Sequence, residues 1–455
     1  MLKGMNKSWI VLLACSLNVA IFVIAQLGTN IALPSMQNDL QFNNEIQQWV
    51  INSFTLGSAC SFIVFGKIAK IITSRSMYIL GLIIMLFASI GCAFSYSETE
   101  LLISRFAQGI SIAMTAPAAI TLIRDSITDG KFDRYFSWFI SINTCYFIIG
   151  PFIFGAIIEY FSWRYNFLLI PPLCISGIIA VYLTTPAKKI SPSHFDYLGS
   201  ILLSTGTFIL IFDCMSIGFN GFKNSNIILL CVFLIISFFF IRHCLKHDEP
   251  IFPLHVLKNT NITSCAATGF TLQGSLMVMV FISLLLLEHF KLTPVETGSF
   301  LMSTTLFGLI SPVIAGFITT NHNRKQVIII SFSMIIVSFI GLGFSALYNS
   351  ITFCFIFSAI YAFFLGPILS ALPSQISSIV HQDDVQETNA IVFHFRYLGA
   401  SLCTAIMGVL AYGDSANTED SITTVGFLHT MLFMSILILI TMIFILKFMQ
   451  NKATI

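Results

Sequence analysis

The chain has 455 residues, of which 56% are hydrophobic and only 9% are charged. Soluble proteins carry about 25% charged residues, so the composition excludes soluble globular, disordered and fibrous proteins. It predicts an all-α polytopic membrane protein, in which each helix satisfies its own backbone hydrogen bonds within the bilayer. The net charge of +2 gives no electrostatic reason to expect a nucleic-acid partner.

Apolar runs long enough to cross a bilayer, about 20 residues each, occur fourteen times along the chain. The first run follows a basic N-terminus and imitates a signal peptide, but it is too long for that role and is kept as a span. In chain order the predicted spans lie near residues 9–33, 46–66, 77–95, 101–123, 135–158, 164–185, 197–217, 226–243, 263–287, 296–319, 327–347, 351–373, 391–412 and 424–447.

The basic residues orient these spans. With the N-terminus in the cytoplasm, eighteen of the 22 Lys and Arg residues fall on the cytoplasmic side, and four (Arg105, Arg164, Lys223 and Lys291) fall on the outer side. Lys and Arg are enriched in cytoplasmic loops. We therefore expect a multi-pass protein of the plasma (inner) membrane, with both its N- and C-termini in the cytoplasm.

Two pairs of landmarks recur at the same spacing. Gly66 and Gly316, each followed by a basic loop, are 250 residues apart, and so are Pro117 and Pro367 inside their spans. Duplicated six-helix halves with a substrate site between them are a transporter architecture. The predicted organisation is an N-terminal six-helix half at 1–190, two linking helices with a cytoplasmic linker at 191–260, and a C-terminal six-helix half at 261–455.

Short motifs follow one another in a fixed order on these spans. They are Asn30-Ile-Ala-Leu-Pro34 in span 1, Arg105-Phe-Ala-Gln108-Gly109 in span 4, Gly150-Pro151-Phe-Ile-Phe-Gly155-Ala156 in span 5 with Trp163-Arg164 after it, and Arg396-Tyr-Leu-Gly399 in span 13. With the fourteen spans, they resemble the major facilitator superfamily and, within it, the fourteen-helix drug/proton antiporter branch. The resemblance implies a secondary transporter that works by alternating access and exports drugs in exchange for protons.

The sequence departs from that branch at several positions. The acidic residue that the branch places five positions before Asn30 is Ala25, and the acidic position in the loop after span 2 is Lys70. The first glycine of the span 5 motif is Tyr146. These changes remove the acid that the resemblance implies as proton carrier, and they alter the loop that it implies as a gating charge relay.

Polar residues inside the spans are candidates for lining a substrate cavity, because a polar side chain in the membrane usually faces a cavity or a partner. We assign seven residues to this group: Gln26, Asn30, Arg105, Gln108, Asn143, Gln273 and Tyr361. The alternative for Arg105 is a side chain that extends to the outer headgroups. The alternative for the uncharged residues is ordinary hydrogen bonding between helices.

Glycine, proline and basic residues at helix contacts and loop ends are candidates for gating: Gly66, Arg75, Gly109, Gly150, Pro151, Gly155 and Arg396. Gly150-Pro151 removes one backbone hydrogen bond and permits close packing, which suits a bend between moving halves. An ordinary proline kink is the alternative. For Arg75 the alternative is a basic cluster that only sets topology.

Proton coupling requires a group that titrates inside the membrane barrier. Asp213 in span 7 and His394 near the inner end of span 13 are the candidates, while Glu159 and Glu288 lie at outer ends of spans. Histidine has a suitable unperturbed pKa, whereas Asp213, about sixteen residues into span 7, lies near the outer surface. Both candidates stay open at this point.

No HExxH, GxSxG or P-loop motif occurs, so we do not expect an enzyme, and we expect neither a cofactor nor a metal. We predict a monomeric secondary transporter whose partners are a small-molecule substrate and the lipid bilayer, and whose function is efflux of drugs or other amphipathic compounds. One alternative is a transporter of a single metabolite or siderophore-like solute. Another is a membrane sensor that no longer transports.

Overall fold

The computed structural model describes residues 7–127, 132–186, 195–247, 249–318, 324–379, 385–412 and 422–449. These residues form helices and connecting turns and contain no strand. The helices, numbered in chain order, are α1 Lys7–Leu40, α2 Asn44–Ile71, α3 Ser74–Ala93, α4 Glu98–Ser126, α5 Phe132–Tyr160, α6 Trp163–Thr184, α7 Tyr197–Asn220, α8 Asn224–Lys246, α9 Thr260–His289, α10 Pro294–Ile318, α11 Arg324–Leu347, α12 Ile351–Ile379, α13 Val385–Tyr412 and α14 Thr424–Phe448.

The helices have the lengths that a bilayer requires. Among the described residues, thirteen of them are long and apolar enough to cross a membrane, and α10 is a further helix of 25 residues. They follow the predicted spans in order. The prediction of an all-α polytopic membrane protein is confirmed.

The chain divides into two compact units. Unit 1 contains Met1–Phe195 together with Thr293–Met302, and unit 2 contains Asp196–Leu292 and Ser303–Ile455. The first turns of α10 therefore pack with α1–α6, whereas α7–α9 and α11–α14 belong to unit 2. The predicted division at 1–190, 191–260 and 261–455 stays a prediction.

Polar side chains at the ends of the helices satisfy backbone groups that have no partner within the helix. Ser97 accepts from the Glu100 N–H at 3.3 Å, and the Glu100 carboxylate accepts from the Ser97 N–H at 3.3 Å. This reciprocal pair is a capping box, which fixes the start of α4. Asn43 and Thr73 start α2 and α3 through single side-chain caps.

Two helices contain a π-helical turn. In α1 it spans Ile24–Gly28, and in α9 it spans Leu285–His289. A π-turn changes the register of the backbone hydrogen bonds, and such turns are frequent at functional sites. The turn in α1 includes Ala25, where the resembling transporters carry an acid.

Helices α7 and α8 form a hairpin whose two ends are held by polar contacts. At one end, Asn226 Nδ2 donates to the buried Asp213 carboxylate at 2.7 Å. At the other end, Asp196 caps α7 by accepting from the Gly199 N–H at 2.8 Å. Only Asn226 and Cys244 are buried in α8, so nearly the whole surface of this helix is available to lipid.

The surroundings of Asp196 keep its carboxyl group ionised. Burial raises the pKa of Asp196, but hydrogen bonds from the Ile251 and Gly199 N–H groups and from His243 outweigh it and hold the pKa below its usual range. The carboxylate is therefore a fixed negative charge at neutral pH, immediately before the first apolar residue of α7.

Candidate functional site

Arg105 lies in the interior of unit 1 and is only 1% exposed. Its Nη1 atom donates to the Ala25 carbonyl at 2.6 Å and to Gln108 Oε1 at 2.8 Å, while Nε donates to the Val50 carbonyl at 3.1 Å. The guanidinium carbon is 4.9 Å from the centre of the Phe54 ring. This burial excludes the alternative in which Arg105 extends to the outer headgroups.

The partners of Arg105 in the described part of the chain are all uncharged. The Ala25 carbonyl, which also accepts from Thr29 Oγ1 at 2.8 Å, lies in the π-turn of α1. A backbone oxygen therefore serves as acceptor at the position where the resembling branch carries a carboxylate. The guanidinium is satisfied by directed hydrogen bonds and a cation–π contact, and it joins α1, α2 and α4.

Gln108 and Gly109 complete this contact. Gln108 Nε2 donates to Ser89 Oγ at 2.9 Å and thereby links α4 to α3. A Cβ atom on Gly109 would lie 2.1 Å from the Phe54 carbonyl oxygen, and one on Gly57 would lie 2.3 Å from the Phe106 carbonyl oxygen. Only glycine allows α2 and α4 to approach this closely.

We predict that Arg105→Lys abolishes most transport although it keeps the charge. A lysine ammonium cannot reproduce the fork that bonds the Ala25, Gln108 and Val50 oxygens together, and each lost charged hydrogen bond costs about 1.5–3 kcal/mol. The measurements are initial transport rate in proteoliposomes and thermal unfolding of the purified protein. Arg242→Lys, on the exposed surface of α8, is the matched control. Unchanged rate and melting temperature in Arg105→Lys would contradict the assignment.

Unit 2 contains a second arginine with an uncharged partner. Arg396 of α13 donates from Nε and Nη2 to Gln273 Oε1 of α9, at 3.1 and 2.7 Å. Its guanidinium carbon is 4.9 Å from the centre of the Phe393 ring. A Cβ atom on Gly399 would lie 2.2 Å from the Phe270 carbonyl oxygen, so α9 and α13 are also in close contact.

Tyr361, Asp213 and His394 occupy different surroundings within unit 2. Tyr361 is buried and donates from its hydroxyl to the Ser275 carbonyl at 2.8 Å, which is a bond between helices α12 and α9. Asp213 accepts from Asn226 within the α7–α8 hairpin. His394 is buried in α13. A cavity role for Tyr361 and a coupling role for Asp213 or His394 stay predictions.

A pair of asparagines marks a polar layer between α1 and α5. Trp9 contacts Tyr135 at 5.3 Å between ring centres, and Phe22 contacts Phe147 at 6.4 Å. This register places Asn18 and Asn143 at the same depth, one turn before Phe22 and Phe147. Both asparagines are buried, and neither Oδ1 atom has a hydrogen-bond partner among the described residues. Buried amide oxygens usually have partners, so this asparagine layer, like the unpartnered amides of Gln48 and Asn166, is a candidate place for a ligand or water in unit 1.

The remaining predicted residues of α1 to α3 lie in unit 1. Gln26 and Asn30 are both buried, inside and just after the π-turn. Gly66 is half-buried near the end of α2. Arg75 donates from Nη2 to the Tyr182 carbonyl at 2.9 Å, and its guanidinium carbon lies 4.7 Å from the centre of the Tyr182 ring. Arg75 therefore joins α3 to α6. The side chain of Lys70 lies outside the described residues.

The span 5 motif packs against the start of α10 inside unit 1. A Cβ atom on Gly155 would lie 2.2 Å from the Pro294 carbonyl oxygen, and one on Gly298 would lie 2.3 Å from the Pro151 carbonyl oxygen. The Glu159 carboxylate accepts from the Val295 N–H at 2.9 Å, next to the positive end of the α10 dipole. Neither Gly298 nor this role of Glu159 was predicted from the sequence, because both depend on a contact between distant helices.

Gly150, which precedes Pro151 in that motif, makes a different contact. A Cβ atom on Gly150 would lie 2.9 Å from Val23 Cγ1 in α1. Gly150 and Gly155 therefore face two different helices from α5. Whether this arrangement gates transport stays a prediction.

We predict that Gly155→Ala and Gly298→Ala each reduce transport by at least about tenfold. A methyl group at either position overlaps a backbone oxygen, so α5 and α10 must separate, and overpacking of this kind costs about 1–3 kcal/mol. The measurements are transport rate and the melting temperature of each variant. Gly206→Ala is the control, because its added Cβ would meet Ile236 Cγ2 at an ordinary 3.5 Å. Equal rates in all three variants would refute the prediction.

An ion pair at the end of α1 was also not predicted from the sequence. The Asp39 carboxylate accepts from Arg164 Nη1 and from Trp163 Nε1, the latter at 3.1 Å, while Arg164 Nη2 donates to the Ser95 carbonyl at 3.0 Å. These contacts join the ends of α1 and α3 to the start of α6. The signal in the sequence was the Trp163-Arg164 pair, whose acidic partner is distant in the chain.

The described residues form fourteen helices in two units, and each unit contains an arginine that bonds uncharged partners, an arrangement typical of a polytopic membrane transporter. The family model described as Major Facilitator Superfamily matches residues 13–254 and 262–454. The chain therefore belongs to the Major Facilitator Superfamily, and the predicted resemblance is confirmed.

Similar proteins extend this assignment. The chain is 26% identical to the riboflavin transporter RibZ of Clostridioides difficile (strain 630), over 82% of this chain and 83% of RibZ. It is 24% identical to the multidrug transporter protein MdtP of Bacillus subtilis (strain 168), over 92% of this chain and 78% of MdtP. It is 22% identical to the tetracenomycin C resistance and export protein of Streptomyces glaucescens, over 89% of this chain and 76% of that protein. These relatives confirm the prediction of a secondary transporter, and two of the three are named for multidrug transport or antibiotic export.

The fold is also found in solved structures. The chain matches the inward-facing, occupied crystal structure of a bacterial homolog of the human lysosomal transporter Spinster, with a TM-score of 0.68 and 14% identity over 97% of each chain. A crystal structure of a POT family transporter in complex with a thioalcohol-conjugated peptide matches with a TM-score of 0.69 and 13% identity over 96% of each chain. At these identities the likeness extends to the fold alone.

Proposed function

We propose that this chain exports small amphipathic compounds that carry uncharged hydrogen-bonding groups. The observation that supports this substrate class is the pair of buried amide oxygens on Asn18 and Asn143 that have no partner among the described residues. A substrate hydroxyl, amide or ring N–H can donate to these oxygens, while an apolar body contacts the aromatic side chains on either side.

The charges of unit 1 support the same substrate class. Arg105 is already engaged by the oxygens of Ala25, Val50 and Gln108, so its positive charge is not free to bind an anionic substrate. The unpartnered amides of Gln48 and Asn166 are also uncharged. A site built from such groups favours neutral, hydrogen-bonding molecules over ions.

Transport in this proposal uses alternating access between two faces of the plasma membrane, with both termini in the cytoplasm and the chain acting as a monomer. The segregation of Lys and Arg to the predicted cytoplasmic loops supports the orientation. The family is one of membrane transporters, and we propose no enzymatic activity.

Substituting the paired asparagines tests the proposed substrate contact. We expect Asn18→Leu and Asn143→Leu each to raise KM about tenfold, because about 1.4 kcal/mol, close to the net contribution of one hydrogen bond, corresponds to tenfold in affinity. The measurement is concentration-dependent uptake of a fluorescent amphipathic dye into inverted vesicles. Asn224→Ala, exposed at the start of α8, is the control. An unchanged KM in both leucine variants would remove the asparagine layer from the site.

We propose His394 rather than Asp213 as the group that couples transport to protons. Asp213 is bonded to Asn226 in a hairpin whose second helix is nearly all exposed. His394 is buried in α13, two residues from the arginine that contacts α9. The unperturbed pKa of histidine is also nearer to neutral pH than that of a carboxyl group.

An imposed pH gradient tests this coupling. In proteoliposomes we expect an acid-outside gradient to accelerate dye export by the wild type, and His394→Gln to lose that acceleration while it retains substrate counterflow. His429→Gln, exposed on α14, should respond like the wild type. A wild type indifferent to the gradient refutes proton coupling. A His394→Gln variant that still responds moves the coupling group elsewhere.

A second candidate function is transport of one heteroaromatic metabolite. RibZ, which is named for riboflavin transport, aligns with 82% of this chain, and unpaired amide oxygens suit the N–H groups of such a ring. Uptake of flavins compared with a panel of unrelated dyes separates the two candidates. Movement of neither class would favour the alternative of a membrane sensor that no longer transports.

A further inference from the structure

One side-chain cluster in unit 2 has no role in the transport described above. It consists of Asp196 before α7 and of His243 and His247 at the end of α8. The ligand atoms of these three residues all lie within 4.8 Å of one another. The His243 and His247 ring centres are 5.1 Å apart, and His243 Nε2 lies 2.7 Å from Asp196 Oδ1.

We propose that Asp196, His243 and His247 bind a divalent transition-metal ion of the Zn²⁺ or Co²⁺ type, at the end of the α7–α8 hairpin that is predicted to face the cytoplasm. This site goes beyond the proposed transport function. It also differs from the sequence-based expectation, which included no metal.

The donor set matches the chemistry of such ions. Imidazole nitrogens and carboxylate oxygens are ordinary ligands of Zn²⁺ and Co²⁺, and three protein ligands leave at least one coordination position for water. His247 follows directly after α8, and its ring centre lies 5.1 Å from that of His243, so the two rings face the same space. Asp196 supplies the negative charge that a dication requires.

Asp196 is held in place before any ion binds. Its Oδ1 accepts from the Gly199 N–H at 2.8 Å, and its Oδ2 accepts from the Ile251 N–H at 2.9 Å. A carboxylate has about four lone-pair positions, so these bonds leave capacity for a metal. Hydrogen bonds that fix a ligand in this way increase metal affinity.

The two histidines differ in accessibility, and this difference defines an entry route. His243 is half-buried and His247 is exposed, so an ion reaches the cluster from water past His247. The Nδ1 atom of His247 accepts from the Glu249 N–H at 3.2 Å. A metal bound to His247 Nδ1 occupies its lone pair, and one bound to Nε2 requires a proton on Nδ1, so either mode ends this long contact. A metal bound to His243 Nε2 replaces the contact of that nitrogen with Asp196 Oδ1.

The neighbouring charges set the strength of the site. Arg242 and Lys246 lie on the same turns of α8 and oppose a cation, but both are exposed and extend into solvent. The negative charge of Glu249, which is also exposed, partly offsets these two positive charges. The bound ion would connect the start of α7, the end of α8 and the chain that follows at Ile251.

Metal titration of the tag-free, full-length protein in lipid nanodiscs tests the proposal. We expect Co²⁺ to give visible d–d absorption with a stoichiometry of one, and Zn²⁺ to abolish it. His247→Ala should weaken Co²⁺ binding at least about tenfold, since even outer-shell partners of a metal ligand contribute 10–100-fold. His429→Ala, which removes an exposed histidine of α14, should leave binding unchanged.

Thermal unfolding gives a second readout that does not depend on transport. Zn²⁺ should raise the melting temperature of the wild type and of His429→Ala, but not that of His247→Ala, because a ligand that binds only the folded state stabilises it. His247 is exposed, so its alanine variant is expected to fold. Absence of Co²⁺ absorption in the wild type, or equal Zn²⁺ stabilisation of wild type and His247→Ala, would overturn the site.

Discussion

The interior of unit 1 depends on one buried positive charge that is satisfied without a carboxylate. Leaving a guanidinium unsatisfied in a low-dielectric interior costs several kcal/mol, so the oxygens of Ala25, Val50 and Gln108 must stay where Arg105 can reach them. The π-turn of α1 presents the first of these oxygens. The glycines at 57 and 109 let α2 approach α4 closely enough to present the second.

Unit 2 also contains an arginine whose hydrogen-bond partner is uncharged, but this arginine lies on a different helix contact. Arg396 and Gln273 join α13 to α9 as Arg105 joins α4 to its neighbours. The two arginines do not follow the internal repeat, because the position 250 residues after Arg105 is Phe355. The predicted 250-residue spacing therefore relates Gly66 to Gly316 in the sequence but does not relate these two arginines.

The fold was predictable from the sequence because its physical cause is local. A stretch of about 20 apolar residues forms a membrane helix whatever surrounds it, and the segregation of basic residues is visible without a structure. The motif of span 4 drew attention to Arg105 and Gln108, whose role in lining a cavity stays a prediction. Their contacts were not predictable, because the acceptors of Arg105 include backbone carbonyls, which every residue possesses and no sequence pattern marks.

Contacts between distant helices account for what the sequence did not reveal. Nothing in the sequence around Gly298 indicates its close contact with Pro151. The sequence likewise does not show that Asn18 lies at the same depth as Asn143. The partnership of Asp39 with Arg164 joins residues 125 positions apart. Such pairings depend on tertiary packing, which periodicity and composition do not encode.

The exposure of α8 has a consequence for how its sequence is constrained. With two buried residues in the whole helix, its position is determined by partition into the bilayer more than by fit against neighbouring helices. Exchanges among Leu, Ile, Val and Phe at its exposed positions alter mainly its solvation by lipid tails, whereas the half-buried Ile236 lies beside Gly206 of α7. A single charge at its centre, in contrast, carries an insertion cost of about 2.5–3.5 kcal/mol.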